Sequence, residues 1–547
     1  MKILSLLFFI CLWYNIALGQ SSLSVAQNHF ITKICERDVP PGAPGVACGI
    51  VQDGAIVYTY YSGFANLLDS VAISEESRFN IASNAKQFTA LAILKLIEEQ
   101  QLSLDDELKS VLPNLQYTRP ITIRQLLTHT SGIRDVYDLW NLQGITWWKQ
   151  TYSNADALRL LAQQNDLNFT PGETYLYSNS NYILLAEIVA RASGQTFREY
   201  TNQMFKGLGL MHTAFESDHQ RIKAPIALPY FNFDTWSGYE WIWNAVGDGN
   251  LFTTLPDLLR WEQIIQDKKR LPNWKKMIDL SQQPVAGAEQ EGYGYGLEFG
   301  AFKNEPVVFH HGSTGAWKAT FMRFPNRNLT VLTLSNSGKT LVVDQNEKIA
   351  AYLLGKDKVS DFLLAPEREG GYLAREDILG VYEQAGGTIF KFIEKEDDLY
   401  LRREGRNDVV LERRSPNIWQ QLYDPAFKQE FTRDSAGHLT VTVYHSSHAP
   451  YTLRKIVTDW KGYNFEKWTG TYFNEETGVR MALKHLEEQV YQITWSDKKR
   501  QGELLTKNRM RVGSYQLHFF EQQKEDRAGF YLAGDRIRRV YFQKEQE

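Results

Sequence analysis

Cysteine is nearly absent from this chain: three in 547 residues, none beyond position 48. A disulfide-stapled framework is thereby excluded for the remainder of the sequence. Long apolar runs are missing after the first twenty residues, so no later segment is expected to cross a bilayer as a helix. Neither sign of charge is in surplus. Lys plus Arg number 60 and Asp plus Glu 64, for a net charge of −4. With no basic excess to neutralise phosphates, nucleic acid is not an expected partner. The chain also lacks a Gly-rich phosphate loop and a Cys-centred nucleophile constellation.

What is present reads as an ordinary globular protein, with 43% hydrophobic and 23% charged residues. At about 150 residues per domain, the length predicts three or four units. The 29 Phe, 28 Tyr and 14 Trp suggest aromatic-lined strands or grooves. Residues 1–19 read as a signal peptide. Lys2 is the basic start, Ile3 to Trp13 the apolar stretch, and Ala17-Leu18-Gly19 a small-x-small cleavage site before Gln20. The apolar stretch is short for a membrane anchor, and no cysteine follows the site to carry a lipid. The expected compartment is therefore outside the cytoplasm, periplasmic or extracellular. Cleavage would remove Cys11 and leave Cys35 and Cys48, which can either pair or remain buried thiols.

An Asp53-Gly54 turn between Val46–Val51 and Ile56–Tyr61 predicts a hairpin. Strand patterns return at Val307–Phe309, Thr320–Phe324 and Leu329–Leu334, with Asn326 and Asn328 at the last turn. Between them the chain reads as helical: Phe88–Glu99, apolar almost all round; Tyr182–Ala192, closed by Gly194; and Asp257–Gln266. A further helix near Ile349–Leu354 closes the unit. Strands at both ends of a helical insertion predict an α+β domain over 20–357, with an antiparallel sheet built from the two ends and flanked by helices. A polar, Pro/Gly-containing stretch, 358–376, reads as a linker. Short alternating strands then recur every 8–12 residues, favouring a barrel or sandwich. A weak repeat supports two small all-β modules, 377–460 and 461–547. Gly380-Val381-Tyr382 is echoed by Gly470-Thr471-Tyr472, Asp398-Leu399-Tyr400 by Gln489-Val490-Tyr491, and Gly437-His438-Leu439 by Gly534-Asp535-Arg536.

Three short motifs carry chemistry. Ser83-Asn84-Ala85-Lys86 opens the apolar helix, and its serine and lysine, three apart, share a face. A hydroxyl needs a base to become a nucleophile, and burial among apolar neighbours would favour a neutral Lys86 able to serve. By itself the tetrapeptide means little, since about two Ser-x-x-Lys are expected by chance in a chain this long. Tyr177-Ser178-Asn179 precedes the second helix. In an extended segment Tyr177 and Asn179 point the same way, the phenol as proton shuttle and the carboxamide as orienter. His310-His311-Gly312-Ser313 ends the Val307–Phe309 strand. Gly312 would let a substrate backbone approach, the Ser83 and Ser313 amides could form an oxyanion hole, and His310 could bond the substrate or Tyr177.

In this order and context the motifs resemble the serine β-lactamase and penicillin-binding-protein superfamily, most closely its class C-like branch, where Tyr-x-Asn is the second motif. Leu127-Thr128-His129-Thr130-Ser131-Gly132, Pro171-Gly172-Glu173 and Gly249-Asn250-Leu251-Phe252-Thr253-Thr254 add to the likeness, which covers about residues 25–355. The resemblance implies Ser83 as the acylated nucleophile, Lys86 and Tyr177 as general base and acid, and Asn179 as orienter. The third motif departs from the Lys-Thr-Gly of true class C β-lactamases and many DD-peptidases, whose lysine helps bind a substrate carboxylate. His310 in that place is similar to D-aminopeptidases and esterase-type members, and two C-terminal barrels resemble the D-aminopeptidase layout. There a barrel loop restricts the substrate; no such loop is identifiable from this sequence. The expectation is an exported serine hydrolase of small amides, D-residue peptides or esters, including peptidoglycan-derived peptides. The alternatives are a β-lactamase or DD-carboxypeptidase, or a catalytically silent binder of peptides or peptidoglycan. No cofactor is expected. His445 and His448 have metal-like spacing but no acidic or cysteine partner beside them. His129 reads as structural, and Trp241, Trp243 and Trp317 as cleft-lining or core residues.

Overall fold

The computed structural model describes residues 23–546 apart from 147–148, 232–234, 239, 286–291, 358–372, 385–388, 403–407, 422–426, 445–449 and 522–527. The expected signal peptide, most of the expected linker and the His445/His448 pair lie outside the described residues.

The hairpin forms where Asp53-Gly54 demands it. Both residues have positive φ (51° and 75°), the geometry a tight two-residue turn needs between twisted strands. It joins β1 (Val46–Gln52) to β2 (Ala55–Ser62). The chain returns to this sheet as β3 (Glu298–Phe302), β4 (Glu305–Thr314), β5 (Trp317–Phe324) and β6 (Leu329–Ser335). The order is β3-β4-β5-β6-β1-β2. Antiparallel pairing of β1 with β6, from Val46↔Ser335 to Gln52↔Leu329, closes the domain from its two ends as expected.

The main helices are α1 (Val25–Glu36), α2 (Lys86–Glu98), α3 (Asn179–Ser193), α4 (Leu255–Gln266) and α5 (Val342–Leu353). Residues of α1 and α5 pack with one face of the sheet, and α2, α3 and α4 belong to the larger core on the other. Gly49 makes this possible: a Cβ there would fall 2.7 Å from Leu259 of α4. The helices begin earlier than the sequence predicts, α2 and α4 by two residues, α3 by three and α5 by seven. The N–H of Asn179 donates to Asp135 Oδ2 (2.6 Å), so a cap from a distant segment starts α3 ahead of its apolar stripe. The polar start of α5 is likewise anchored inside, where Asn346 Nδ2 donates to the Thr320 and Val331 carbonyls. Cys35 and Cys48 are buried free thiols hydrogen-bonded to each other, which settles the alternative the sequence leaves open.

The C-terminal region forms two closed barrels of eight antiparallel strands each, spanning Gly380–Lys455 and Gly470–Lys544. Two echoes in the sequence are equivalent positions. Tyr382 and Tyr472 sit on the first strands, and each donates its hydroxyl to a carbonyl four residues upstream, Ile378 and Trp468. Tyr400 and Tyr491 both lie on third strands. The third echo is not equivalent: Gly437 precedes the seventh strand of its barrel, whereas Gly534 follows the seventh strand of its own.

The barrels relate differently to the catalytic domain. The first has its own core, whereas the core of the second is continuous with the one beneath α2 and α3. Arg134, 1% exposed, joins them: it pairs with Glu476 and donates to the carbonyls of Arg538 (3.2 Å) and Arg539 (2.8 Å). Removing one partner of a buried pair leaves the other charge uncompensated, at a cost of about 3–5 kcal/mol. Arg134→Met is therefore expected to lower the unfolding free energy by about 3 kcal/mol in guanidinium titrations of the full chain. A change below about 0.5 kcal/mol, the level of an ordinary surface substitution, would mean that apolar contact alone holds the second barrel.

Candidate active site

Ser83 stands on a 3₁₀ turn, Ala82–Ala85, that runs into α2. In a 3₁₀ turn residues i and i+3 eclipse, which sets Lys86 in line with Ser83. The residue before the nucleophile, Ala82, holds φ at 48°, a strained value for a residue with a Cβ. Its surroundings enforce it. Ala82 N–H donates to Asn80 Oδ1 (2.9 Å), Ile81 N–H to the Leu251 carbonyl (3.0 Å), and Asn80 Nδ2 to Asn250 Oδ1 (3.1 Å).

Lys86 is fully buried. Its Nζ donates to Ser83 Oγ (3.2 Å), Asn179 Oδ1 (3.0 Å) and the Asp248 carbonyl (2.7 Å). Burial pulls its pKa down to about 7; the Asp248 charge opposes this and Arg536 adds to it. Asn179 is held from the other side, its Nδ2 donating to Asp135 Oδ2 (3.0 Å). The Tyr177 hydroxyl is hydrogen-bonded to Ser83, and burial drives its pKa well above the usual phenol value. Lys86 Nζ and the Arg536 guanidinium each lie 4.9 Å from the centre of its ring.

His129, which the sequence marks only as structural, is buried and stands against this centre. It braces Tyr177 on both flanks: Leu176 N–H donates to its carbonyl (3.0 Å) and Ser178 N–H to its Nδ1 (3.2 Å). Its ring lies 4.3 Å from that of Tyr177. Burial, then the Lys86 charge, hold its pKa far down, so it is a neutral positioning residue.

The third motif lies inside β4 rather than beyond its end. His310 is buried, donates from Nδ1 to the His311 carbonyl (2.9 Å), and accepts at Nε2 from Tyr293 (3.4 Å). Its partner is therefore Tyr293; its ring is 6.3 Å from that of Tyr177. Burial, then the Lys86 charge, lower its pKa to about 3, so it carries no charge near neutrality. Gly312 is needed for close approach, but of the chain's own backbone: a Cβ there would fall 2.2 Å from the Ile81 carbonyl. This contact sets β4 against the nucleophile turn. Ser83, Asn179 and Ser313 consequently line one cavity of about 320 Å³. Trp241 and Trp243 line it too. Trp317 does not; it is buried behind, donating to the Ala227 carbonyl (2.7 Å).

Residues 32–355 match the family described as Beta-lactamase. The chain belongs to the β-lactamase family. As a member it is similar to "Protein flp" of Staphylococcus aureus strain N315, at 28% identity over 353 residues, covering 60% of this chain and 67% of that one. It is also 28% identical over 374 residues to a D-aminopeptidase of Cereibacter sphaeroides, covering 66% of this chain and 70% of that one. The octameric penicillin-binding protein homologue from Pyrococcus abyssi superposes with a TM-score of 0.55 at 25% identity, over 79% of this chain and 99% of that one. This family member is a serine hydrolase of the β-lactamase/penicillin-binding-protein type.

Ser83, Lys86, Tyr177 and Asn179 are brought together by hydrogen bonds, and Ser313 reaches the same cavity. Sequence reasoning missed Asp135, Asp248, Tyr293 and Arg536, which no local motif marks; Arg536 comes from the second barrel. Among the described residues no group of three or more His, Cys, Asp or Glu is placed to hold a metal. Gly312→Ala is expected to push β4 from the Ser83 turn. A displacement near 1 Å costs on the order of 100-fold in rate, so kcat should fall about that much with a smaller change in KM. Unaltered kcat in a variant that remains folded by thermal melt would refute the contact's role.

Proposed function

We propose that this enzyme hydrolyses small amides, peptides with D-residues or esters through an acyl-enzyme on Ser83. One observation carries the reading: burial pushes the two titratable neighbours of Ser83 in opposite senses. Lys86 comes down to about 7 and is partly neutral at physiological pH. Tyr177 goes up and stays protonated. These opposite senses support Lys86 as the base and Tyr177 as the acid, a choice the motif spacing leaves open.

In the proposed sequence, Lys86 Nζ takes the Ser83 hydroxyl proton as Oγ bonds to the substrate carbonyl carbon. The Ser83 and Ser313 amides face the resulting oxyanion. Tyr177 gives its proton to the departing nitrogen or oxygen as that bond breaks, and Lys86 returns a proton to Tyr177. Water then attacks the acyl carbon, Lys86 takes its proton, and Ser83 leaves with a proton restored. Asn179 keeps the Lys86 amine aimed at Ser83 throughout.

Similarity to a D-aminopeptidase supports the amide and D-residue preference. The neutrality of His310 speaks against a dedicated β-lactamase, since it offers no cation where the Lys-Thr-Gly lysine would stand. An assembled nucleophile, base and acid speak against a silent binder. Export is part of the proposal and rests on residues 1–19.

The test is a rate panel of a D-alanine anilide, its L-isomer, a short-chain aryl ester and a chromogenic cephalosporin, run on the enzyme and on Ser83→Ala. Turnover of the D-anilide or ester is expected, with kcat reduced about 10⁴-fold or more by the substitution. Intact mass should reveal an adduct on Ser83. Full activity in Ser83→Ala would end the proposal. The pH profile tests the base. Lowering the pH through 7 protonates Lys86 and removes the acceptor for the Ser83 proton. The observed kcat/KM should therefore rise through about pH 7 to a plateau. A rise centred near the ordinary lysine pKa, about 10.4, would remove Lys86 from the role.

A further inference from the structure

Two cysteines meet behind the sheet, in a part of the molecule that the proposed reaction does not use. Cys35 lies on α1 and Cys48 on β1, and both are 0% exposed. The Cys35 thiol donates to the Cys48 sulfur, a contact that raises the pKa of the first and lowers that of the second. Cys48 shares its face of the strand with Val46 and Ile50, against α1 and α5. The alternate residues Ala47 and Val51 point to the core that contains α2. The thiols therefore lie across the sheet from the nucleophile helix.

A single buried cysteine is ordinary core material. With only three cysteines in 547 residues, contact between two of them on different elements is not what chance packing delivers. A metal does not compete for the pair, since among the described residues no group of three or more His, Cys, Asp or Glu includes them. The helix that carries Cys35 is lightly anchored. Of the twelve residues of α1 only Ile31 and Cys35 are buried. Its polar ties lie toward the surface: Thr32 Oγ1 with the Tyr58 hydroxyl (2.8 Å), Tyr60 Oη donating to Glu36 (3.1 Å), and the neighbouring Arg37 with Asp344 (2.6 Å). Exposed polar pairs hold a helix weakly. By contrast β1 is paired along both edges, with β2 and β6.

We propose that Cys35 and Cys48 are the reduced half of a dithiol–disulfide couple, which a disulfide-bearing oxidant converts into a bond that staples α1 to β1. One cysteine thiolate attacks a sulfur of the oxidant's disulfide, which breaks, releasing a thiolate and leaving a mixed disulfide. The other cysteine thiolate attacks the protein's sulfur in that mixed disulfide. The Cys35–Cys48 bond forms and the second thiolate departs. The two cysteines lose two protons and two electrons, and the oxidant leaves as two thiols. Neither sulfur is reachable while α1 is docked, so the exchange takes place while α1 is off the sheet. The export proposed above would bring the chain to such oxidants. The chemistry of the couple depends neither on export nor on Ser83.

The experiment incubates the reduced full chain with glutathione disulfide, and in parallel with dithiothreitol. Guanidinium is kept just below the onset of global unfolding, where local opening of α1 is sampled. Each sample is then denatured, treated with iodoacetamide, digested and mapped by mass. With glutathione disulfide, a peptide pair joined through Cys35 and Cys48 is expected in most of the protein. With dithiothreitol, both cysteines should be alkylated. The joined form is expected to melt about 5 °C or more above the reduced form, because the bond restricts the unfolded chain. Alkylation of both cysteines after the oxidant, or glutathione retained on either, overturns the couple. A joined form that melts no higher than the reduced one overturns the staple.

Discussion

A fully buried primary amine is the constraint around which this site is arranged. Charging Lys86 without water is costly, and three neutral acceptors, Ser83 Oγ, Asn179 Oδ1 and the Asp248 carbonyl, hold it where it is. Each acceptor belongs to a different segment, so the amine can be surrounded only when α2, α3 and the 248–250 turn are in place. The helix carrying it is apolar on nearly all sides because it sits between layers. Gly296, at φ 74°, presses so closely that a Cβ would meet the Lys86 carbonyl at 2.6 Å. The same enclosure that makes the lysine a base therefore makes α2 the centre of the domain.

Burial acts on Lys86, His310 and Tyr177 alike, but its direction depends on the charge of the deprotonated form. It lowers the cationic acids, Lys86 and His310, and raises the phenol Tyr177. One dry environment thus yields an available base, a retained acid and a neutral histidine. Asp135 orders the arrangement without approaching the nucleophile. It caps α3, fixes the Asn179 carboxamide and faces Arg536. Its role is that of an anchor shared between the helix start and the barrel loop.

The two barrels share a closed eight-stranded architecture, yet only the second extends the catalytic core. Its last turn places backbone carbonyls on Arg134 and a side chain in the Ser83 cavity. Such a loop completes a site whose walls otherwise come from residues 82–315. The first barrel keeps a separate core of its own and reaches the second through Glu383 with Arg509 and Lys391 with Glu503.

Much was legible in the chain itself. Asp53-Gly54 specifies its turn because only small or polar residues tolerate two successive positive φ values, and strict alternation marks the barrel strands. Ser83 with Lys86, and Tyr177 with Asn179, are readable because each pair acts over one helical turn or one strand step, where sequence spacing is spatial spacing. Groups that act across the chain were not. Asp135, Asp248 and Tyr293 carry no local pattern, and Gly312 was assigned to a substrate when the backbone it admits is that of Ile81. Arg536 lies more than 350 residues from Tyr177, and in sequence it is one of many surface-like cations. Local periodicity and turn chemistry determined the elements and the motif residues. Their protonation states and the completing cation were decided only by packing, because burial and charge act through distances that sequence order does not encode.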